Sequence, residues 1–376
     1  MGLAHQSPSE LMAFFTHSLA SFQSSPDLFR ILLTLPPLHP HPHPHPHPQG
    51  QHARPSGPST RQRLVVLDSS FNPPTTAHAR MALSALRAQQ HVPASADPDT
   101  PAPRTRLVLL LAVQNADKAP DKPAALAQRL CMMDVFARGL QRAAASTFAS
   151  GGDAARRVPI DVAVTKSPFF CDKARAMAGC EAYAASSSGG GSGSSGDSPQ
   201  FSPSPSPSPH PPTTPRSTPI PALWQLASSG GSLGPVPAAA AAEQQPQMVF
   251  LVGFDTVVRI LDPKYYPGGM APALAPLFAR ARLRVTGRPH GGWGSAAEQE
   301  RWVAGLAAGL AARGGDASWA GRIELVRDDE RGREGEGEGV SSSRAREVVR
   351  AGELDKLEGL VDDGVREWIV KGGLYT

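Results

Sequence analysis

Short runs of consecutive apolar residues alternate along this chain with longer stretches in which apolar positions recur every three to four residues. The runs "RLVVLDSS", "RLVLLLAV" (106–113), "VPIDVAVT" (158–165), "MVFLVGF" (248–254), "RLRVTGR" (282–288) and "RIELVRD" (322–328) have the length and β-branched content of strands. Helical spacing fills most of the gaps, over 76–90, over 123–142 and in a C-terminal pair within 343–371. Strands apolar on both faces, separated by amphipathic helices, predict a doubly wound α/β domain with a parallel sheet and helices on both faces. Residues 1–35, which include "SELMAFFTHSLASFQSSPDLFRILLTL", predict a helical segment packed on that domain. Glu10, Asp27 and the lack of arginine before Arg30 argue against a mitochondrial presequence.

Composition divides the pattern. The 39 prolines and 36 glycines of the 376 residues exceed an average composition, and most of the excess lies in three patches that cannot bury enough apolar surface to offset their ordering entropy. Residues 36–62, with "PPLHPHPHPHPHPQG", read as a disordered His/Pro linker. Residues 184–247 read as a disordered Ser/Pro/Gly/Ala insertion, and "RGREGEGEGV" (331–340) as a loop. The expected α/β domain therefore spans 63–376 and is interrupted at 184–247. The net charge of +4 comes from scattered arginines rather than blocks that would track a nucleic acid, so no nucleic-acid partner is expected. The longest apolar run, "LVLLLAV", is too short to cross a bilayer, so no membrane partner is expected either. Cys131, Cys171 and Cys180 form no metal pair and fit a reducing cytosolic or nuclear setting. Nothing in the pattern fixes the oligomeric state, and a homo-oligomer is compatible with it.

In a doubly wound sheet the ligand lies beyond the carboxyl ends of the strands, where the loop after the first core strand contributes most. Here that loop is "DSSFNPPTTAH". Asn72-Pro73-Pro74 makes a rigid turn, Thr75 or Thr76 can cap the following helix, and His78 falls in its first turn, where amides favour an anion. The alternative is an ordinary capped turn with a surface histidine. Near the other end, "VSSSRAR" places Ser341, Ser342 and Ser343 at a helix start with Arg346 one turn on, a second anion cradle.

The first loop resembles the nucleotidyltransferase superfamily, and within it the nicotinamide-mononucleotide adenylyltransferase family, whose box after the first strand reads Thr-x-x-His: Thr75, Thr76, Ala77, His78. Ser69 stands where that family commonly has glycine. The stretch from Val340 to Arg346 resembles the family's Ile-Ser-Ser-Thr-x-x-Arg signature, and the ending "IVKGGLY" is also similar; the whole looks like a divergent fungal-type branch. The resemblance implies a Rossmann-like fold and transfer of AMP from ATP to nicotinamide mononucleotide. It also implies Mg²⁺ carried mainly by ATP phosphates, with no metal site built from protein side chains. Carried over by position, it implies catalytic roles for His78, Arg346 and Lys118, which closes "LLLAVQNADK". ATP contacts would come from Ser70, Phe71, Thr75, His78, Gly253, Asp255, Ser341, Ser342, Ser343 and Arg346, and acceptor contacts from Phe169, Tyr266 and Arg129. Two other readings stay open: a related enzyme with another acceptor such as phosphopantetheine, and a non-catalytic ATP-binding adaptor.

Overall fold

The computed structural model describes residues 7–38, 62–90, 103–114, 124–147, 158–184, 245–289, 292–326 and 339–376. The bulk of the His/Pro linker, the long insertion and the Glu/Gly loop, together with Asn115, Asp117 and Lys118, lie outside the described residues.

The sheet has seven strands: β1 (Phe29–Leu35), β2 (Gln62–Asp68), β3 (Arg104–Ala112), β4 (Ile160–Thr165), β5 (Gln247–Gly253), β6 (Ala281–Thr286) and β7 (Ile323–Leu325). They lie in the order β1-β4-β3-β2-β5-β6-β7. β2 to β7 are all parallel, and counted by themselves they run 3-2-1-4-5-6, the Rossmann-like order that reverses between β2 and β5. The expected doubly wound architecture is thus present.

The helices are α1 (Pro8–Ser24), α2 (Thr76–Gln90), α3 (Leu126–Thr147), α4 (Phe170–Ala178), α5 (Phe254–Ile260), α6 (Met270–Phe278), α7 (Ala296–Ala304), α8 (Leu306–Ala312), α9 (Ser342–Arg350) and α10 (Asp363–Lys371). Strand alternation sorts them into two cores. Val65, Leu67, Leu107 and Leu109 face α1, α2, α3, α9 and α10 through Phe15, Ala82, Leu130, Val348 and Ile369. Leu64, Val66, Val108 and Leu110 face α4, α5, α6 and α8 through Met177, Val257, Leu274 and Leu310.

The N-terminal segment differs from expectation in its second half. Helix α1 starts at a capping box in which the Ser7 hydroxyl accepts the Glu10 amide and Glu10 accepts the Ser7 amide. It stops before Ser25-Pro26, and "FRILLTL" then becomes β1, antiparallel to β4 along the sheet edge. Helical spacing is ambiguous over a short apolar run, and pairing with a strand more than 120 residues away decides the outcome.

A buried cluster rivets this edge. The Asp161 carboxylate on β4 is fully buried and accepts from Thr34 on β1 (2.7 Å), from Arg106 on β3 (2.9 and 2.6 Å) and from the Tyr183 hydroxyl (2.9 Å). A buried charge of this kind is tolerable only because its lone pairs are filled. Asp161→Ala strands the Arg106 guanidinium and the two hydroxyls; we expect a loss of roughly 3 kcal/mol in urea denaturation, with β1 released first in hydrogen exchange.

Candidate functional site

The chain leaves β2 at Asp68 and reaches α2 at Thr76, crossing the carboxyl edge of the sheet where the strand order reverses. Two features give the loop its shape: the Asn72-Pro73 peptide is cis and Phe71 has φ 44°. The Phe71 ring is fully buried, 5.5 Å from the His78 ring and 6.4 Å from Phe136. The expected nucleotide contact Phe71 therefore belongs to the core.

The Thr-x-x-His spacing is that of a capping box with histidine in the place of the usual glutamate. Thr75 precedes the first helical residue, and its backbone N–H donates to His78 Nδ1 at 3.0 Å. The Thr75 hydroxyl lies 2.8 Å from the same nitrogen, and Nε2 lies 2.8 Å from the Ser69 hydroxyl. A backbone amide can only donate, so Nδ1 holds a lone pair and the proton of a neutral ring is on Nε2. Burial pushes the His78 pKa down to about 4, and the Arg288 guanidinium adds to the shift. His78 is thus a neutral Nε2–H donor at neutral pH and brings no formal charge to the site.

Thr76 ties the loop to the C-terminal region: its amide donates to the Leu360 carbonyl at 3.0 Å and its hydroxyl to that of Gly359 at 2.7 Å. The second cradle completes that junction. Ser341 caps α9 by accepting the Arg344 amide, and the Ser342 hydroxyl donates to the Pro73 carbonyl at 2.7 Å. Arg346 donates to the Asn72 carbonyl (2.7 Å) and to Ser343 Oγ (3.2 Å), while its Nε is buried with no partner. The Asn72 side-chain oxygen accepts from the Ala124 amide (3.1 Å) and from the Tyr375 hydroxyl (2.9 Å), which burial holds protonated. The structure thus brings together His78, Thr75, Ser342, Ser343 and Arg346, residues separated by more than 250 positions in sequence. Ser70 is exposed on the loop beside them.

Arg129, expected at the acceptor, lies behind the loop. Its buried guanidinium donates to the carbonyls of Ala124 (2.8 Å) and Ser70 (3.4 Å), the geometry of a brace.

On the opposite side of the switch point, β5 ends at Gly253. A Cβ there would stand 2.6 Å from Asp255 Oδ1, so only glycine lets that carboxylate fold back against the strand end. Asp255 is paired with Arg288 (3.1 Å) and Arg259 (3.7 Å). Arg288 follows β6, has a half-exposed side chain and bears on both Asp255 and His78. Sequence reading passed over it as the end of a strand, because its partner lies 33 residues away. Lys173 was also missed: on α4 it meets Asp68, the last residue of β2, at 2.5 Å, the two side chains 5% and 7% exposed. Its position three residues into the helix after β4 was the available signal.

Among the expected acceptor aromatics, Phe169 precedes α4 and is partly exposed. Tyr266 packs on the same core as Phe170 and Cys171, and its hydroxyl donates to the Ile260 carbonyl at 2.7 Å.

Because the folded-state pKa of His78 lies below the 6.5 of a free imidazole, its contribution to stability is complete above about pH 6.5 and declines as pH falls toward 4. In ¹⁵N-resolved titrations the His78 ring should stay in the Nε2–H form down to about pH 5; a midpoint near 6.5 would refute the assignment.

No family model matches the chain. A Schizosaccharomyces pombe protein provisionally named nicotinamide mononucleotide adenylyltransferase is 26% identical over 291 residues, which are 77% of this chain and 77% of that one. Among solved structures, a Plasmodium falciparum nicotinic acid mononucleotide adenylyltransferase complexed with NaAD aligns over 84% of this chain and 98% of its own at 10% identity and a TM-score of 0.34, too low to carry weight. The similarity to the yeast protein agrees with the boxes after β2 and at the start of α9, and the chain resembles the nicotinamide-mononucleotide adenylyltransferase family of nucleotidyltransferases.

Proposed function

We propose that the protein transfers AMP from ATP to a pyridine mononucleotide, nicotinamide mononucleotide in the first instance, giving a dinucleotide and pyrophosphate in NAD synthesis. The observation that carries this reading is the junction of two anion-suited segments, the Ser69–His78 loop and the start of α9, at the switch point of the sheet. The name of the yeast relative supports the same acceptor class.

In the proposed reaction an oxygen of the acceptor 5′-phosphate attacks the α-phosphorus of ATP, the bond to the bridging β-oxygen breaks, and pyrophosphate carries away the electron pair. No protein nucleophile is required, so the chain's work is positioning and stabilisation of charge. A rigid loop suits the first task. For the second, the loop organised around the neutral His78 supplies hydrogen bonding, and the positive charge comes from Arg346 and Arg288. Arg129 supports the loop carbonyls from behind. Phe169 and the Tyr266 ring offer flat apolar surface to the acceptor's pyridine, and Asp255, freed from Arg288 by a ligand, can accept from a ribose hydroxyl. Lys118 is assigned a supporting contact to phosphate on the resemblance alone.

Among the described residues no group of three His, Cys, Asp or Glu side chains could hold a metal, and the crevice carboxylates Asp68 and Asp255 are already ion-paired. In the proposed reaction a divalent cation enters on the phosphates of ATP.

Two experiments test the reading. Incubation with ATP, Mg²⁺ and a panel of mononucleotide acceptors should yield a mass-identified pyridine dinucleotide and pyrophosphate; product formed only with a phosphopantetheine acceptor would reassign the substrate, and tight ATP binding without product would favour the adaptor. His78→Ala should lower kcat by about 10²–10³-fold while costing only about 1 kcal/mol of stability through loss of the Thr75 cap, and full activity in a folded variant would remove the mechanism.

A further inference from the structure

Hydrogen-bond directions in the loop after β2 can be assigned one donor at a time. The Thr75 amide donates to His78 Nδ1, so the ring proton lies on Nε2. At 2.8 Å from Nε2, Ser69 Oγ must accept that proton. The Ser69 backbone amide is used elsewhere, on the Leu110 carbonyl at 3.2 Å. Once its oxygen has accepted from His78, the hydroxyl has one proton left to give, and Ser69 is the first residue beyond β2, at the switch point itself.

From this geometry we propose that Ser69 is the group of this loop that touches the nucleotide phosphate, donating its hydroxyl proton to a phosphate oxygen, while His78 acts through it as a positioning residue. The inference rests on the nucleotide reading given above and deepens it. Hydrogen bonds in such a row polarise one another, so a hydroxyl that accepts from an imidazole is a stronger donor than one alone. No proton changes owner. The row Thr75 to His78 to Ser69 to phosphate is a fixed set of dipoles aimed at an anion, and preorganisation of that kind is what lowers the cost of charge that builds during transfer.

The assignment separates two roles that a Thr-x-x-His box leaves merged. If His78 touched phosphate directly, the Ser69 hydroxyl would compete for the Nε2–H, and its removal would leave turnover unchanged or raise it. If Ser69 is the contact, its removal leaves a gap between Nε2–H and the phosphate that a methyl group cannot bridge.

The test compares wild type with Ser69→Ala and Ser69→Thr in the full chain, measuring Mg·ATP affinity by calorimetry, steady-state AMP transfer, and the His78 ring by ¹⁵N NMR. The expected result is a fall in kcat of at least about tenfold for Ser69→Ala, recovery in Ser69→Thr, which keeps the hydroxyl, and the Nε2–H form of His78 in all three proteins. The NMR readout separates loss of a contact from loss of the fold, because a collapsed loop would also release the Nδ1 nitrogen. Wild-type turnover and ATP affinity in a folded Ser69→Ala variant would overturn the assignment alone. Failure of the wild-type protein to bind ATP would overturn the nucleotide reading and this inference with it.

Discussion

The site depends on two adjacent carbonyl groups, those of Asn72 and Pro73. One accepts from Arg346 and the other from Ser342, so the loop after β2 is fastened to the first turn of α9 more than 260 residues later. The Asn72 side chain extends the junction to Ala124 at the head of α3 and to Tyr375 near the C-terminal end. Each bond alone is worth about a kilocalorie, yet together they fix the backbone of a turn whose carbonyls would otherwise need water. The same geometry explains why helices α9 and α10 pack on the face that carries α2 and α3: any other placement would separate Arg346 from the turn.

Charge at the crevice is distributed in an unexpected way. A histidine at the start of a helix after a core strand invites the reading of a cation facing phosphate, but a helix start and a nearby guanidinium both disfavour an imidazolium. Here the amide of Thr75 occupies the nitrogen that would have to be protonated. In the proposed reaction the cationic work passes to arginines: Arg346, held by the Asn72 carbonyl and the Ser343 hydroxyl, and Arg288, held by Asp255. Arginine keeps its charge under such partial burial, where histidine does not.

Much of the fold was legible because its strands are buried on both faces and read as continuous apolar runs; β2 to β6 stand within two residues of where those runs place them. β1 was not, since an antiparallel edge pairing between Phe29 and Thr165 leaves no local signature. The Thr-x-x-His box was legible as a spacing. Its hydrogen-bond directions were not, because they follow from where the folded loop sets the Thr75 amide and the Ser69 hydroxyl around the ring. Phe71 illustrates the converse: it stands inside the motif, and its ring serves the core. Arg288 and Lys173 were hidden for a third reason, since each gains meaning only from a carboxylate on another strand end, Asp255 and Asp68.

The central claim is that the chain works by positioning, with no residue forming a bond to the nucleotide. The most direct test is stereochemical: turnover of ATP that carries sulfur in a single configuration at the α-phosphorus, with nicotinamide mononucleotide as acceptor. A single in-line displacement predicts a dinucleotide product with inverted configuration at that phosphorus. Net retention, the mark of two displacements through an adenylylated side chain, would contradict it.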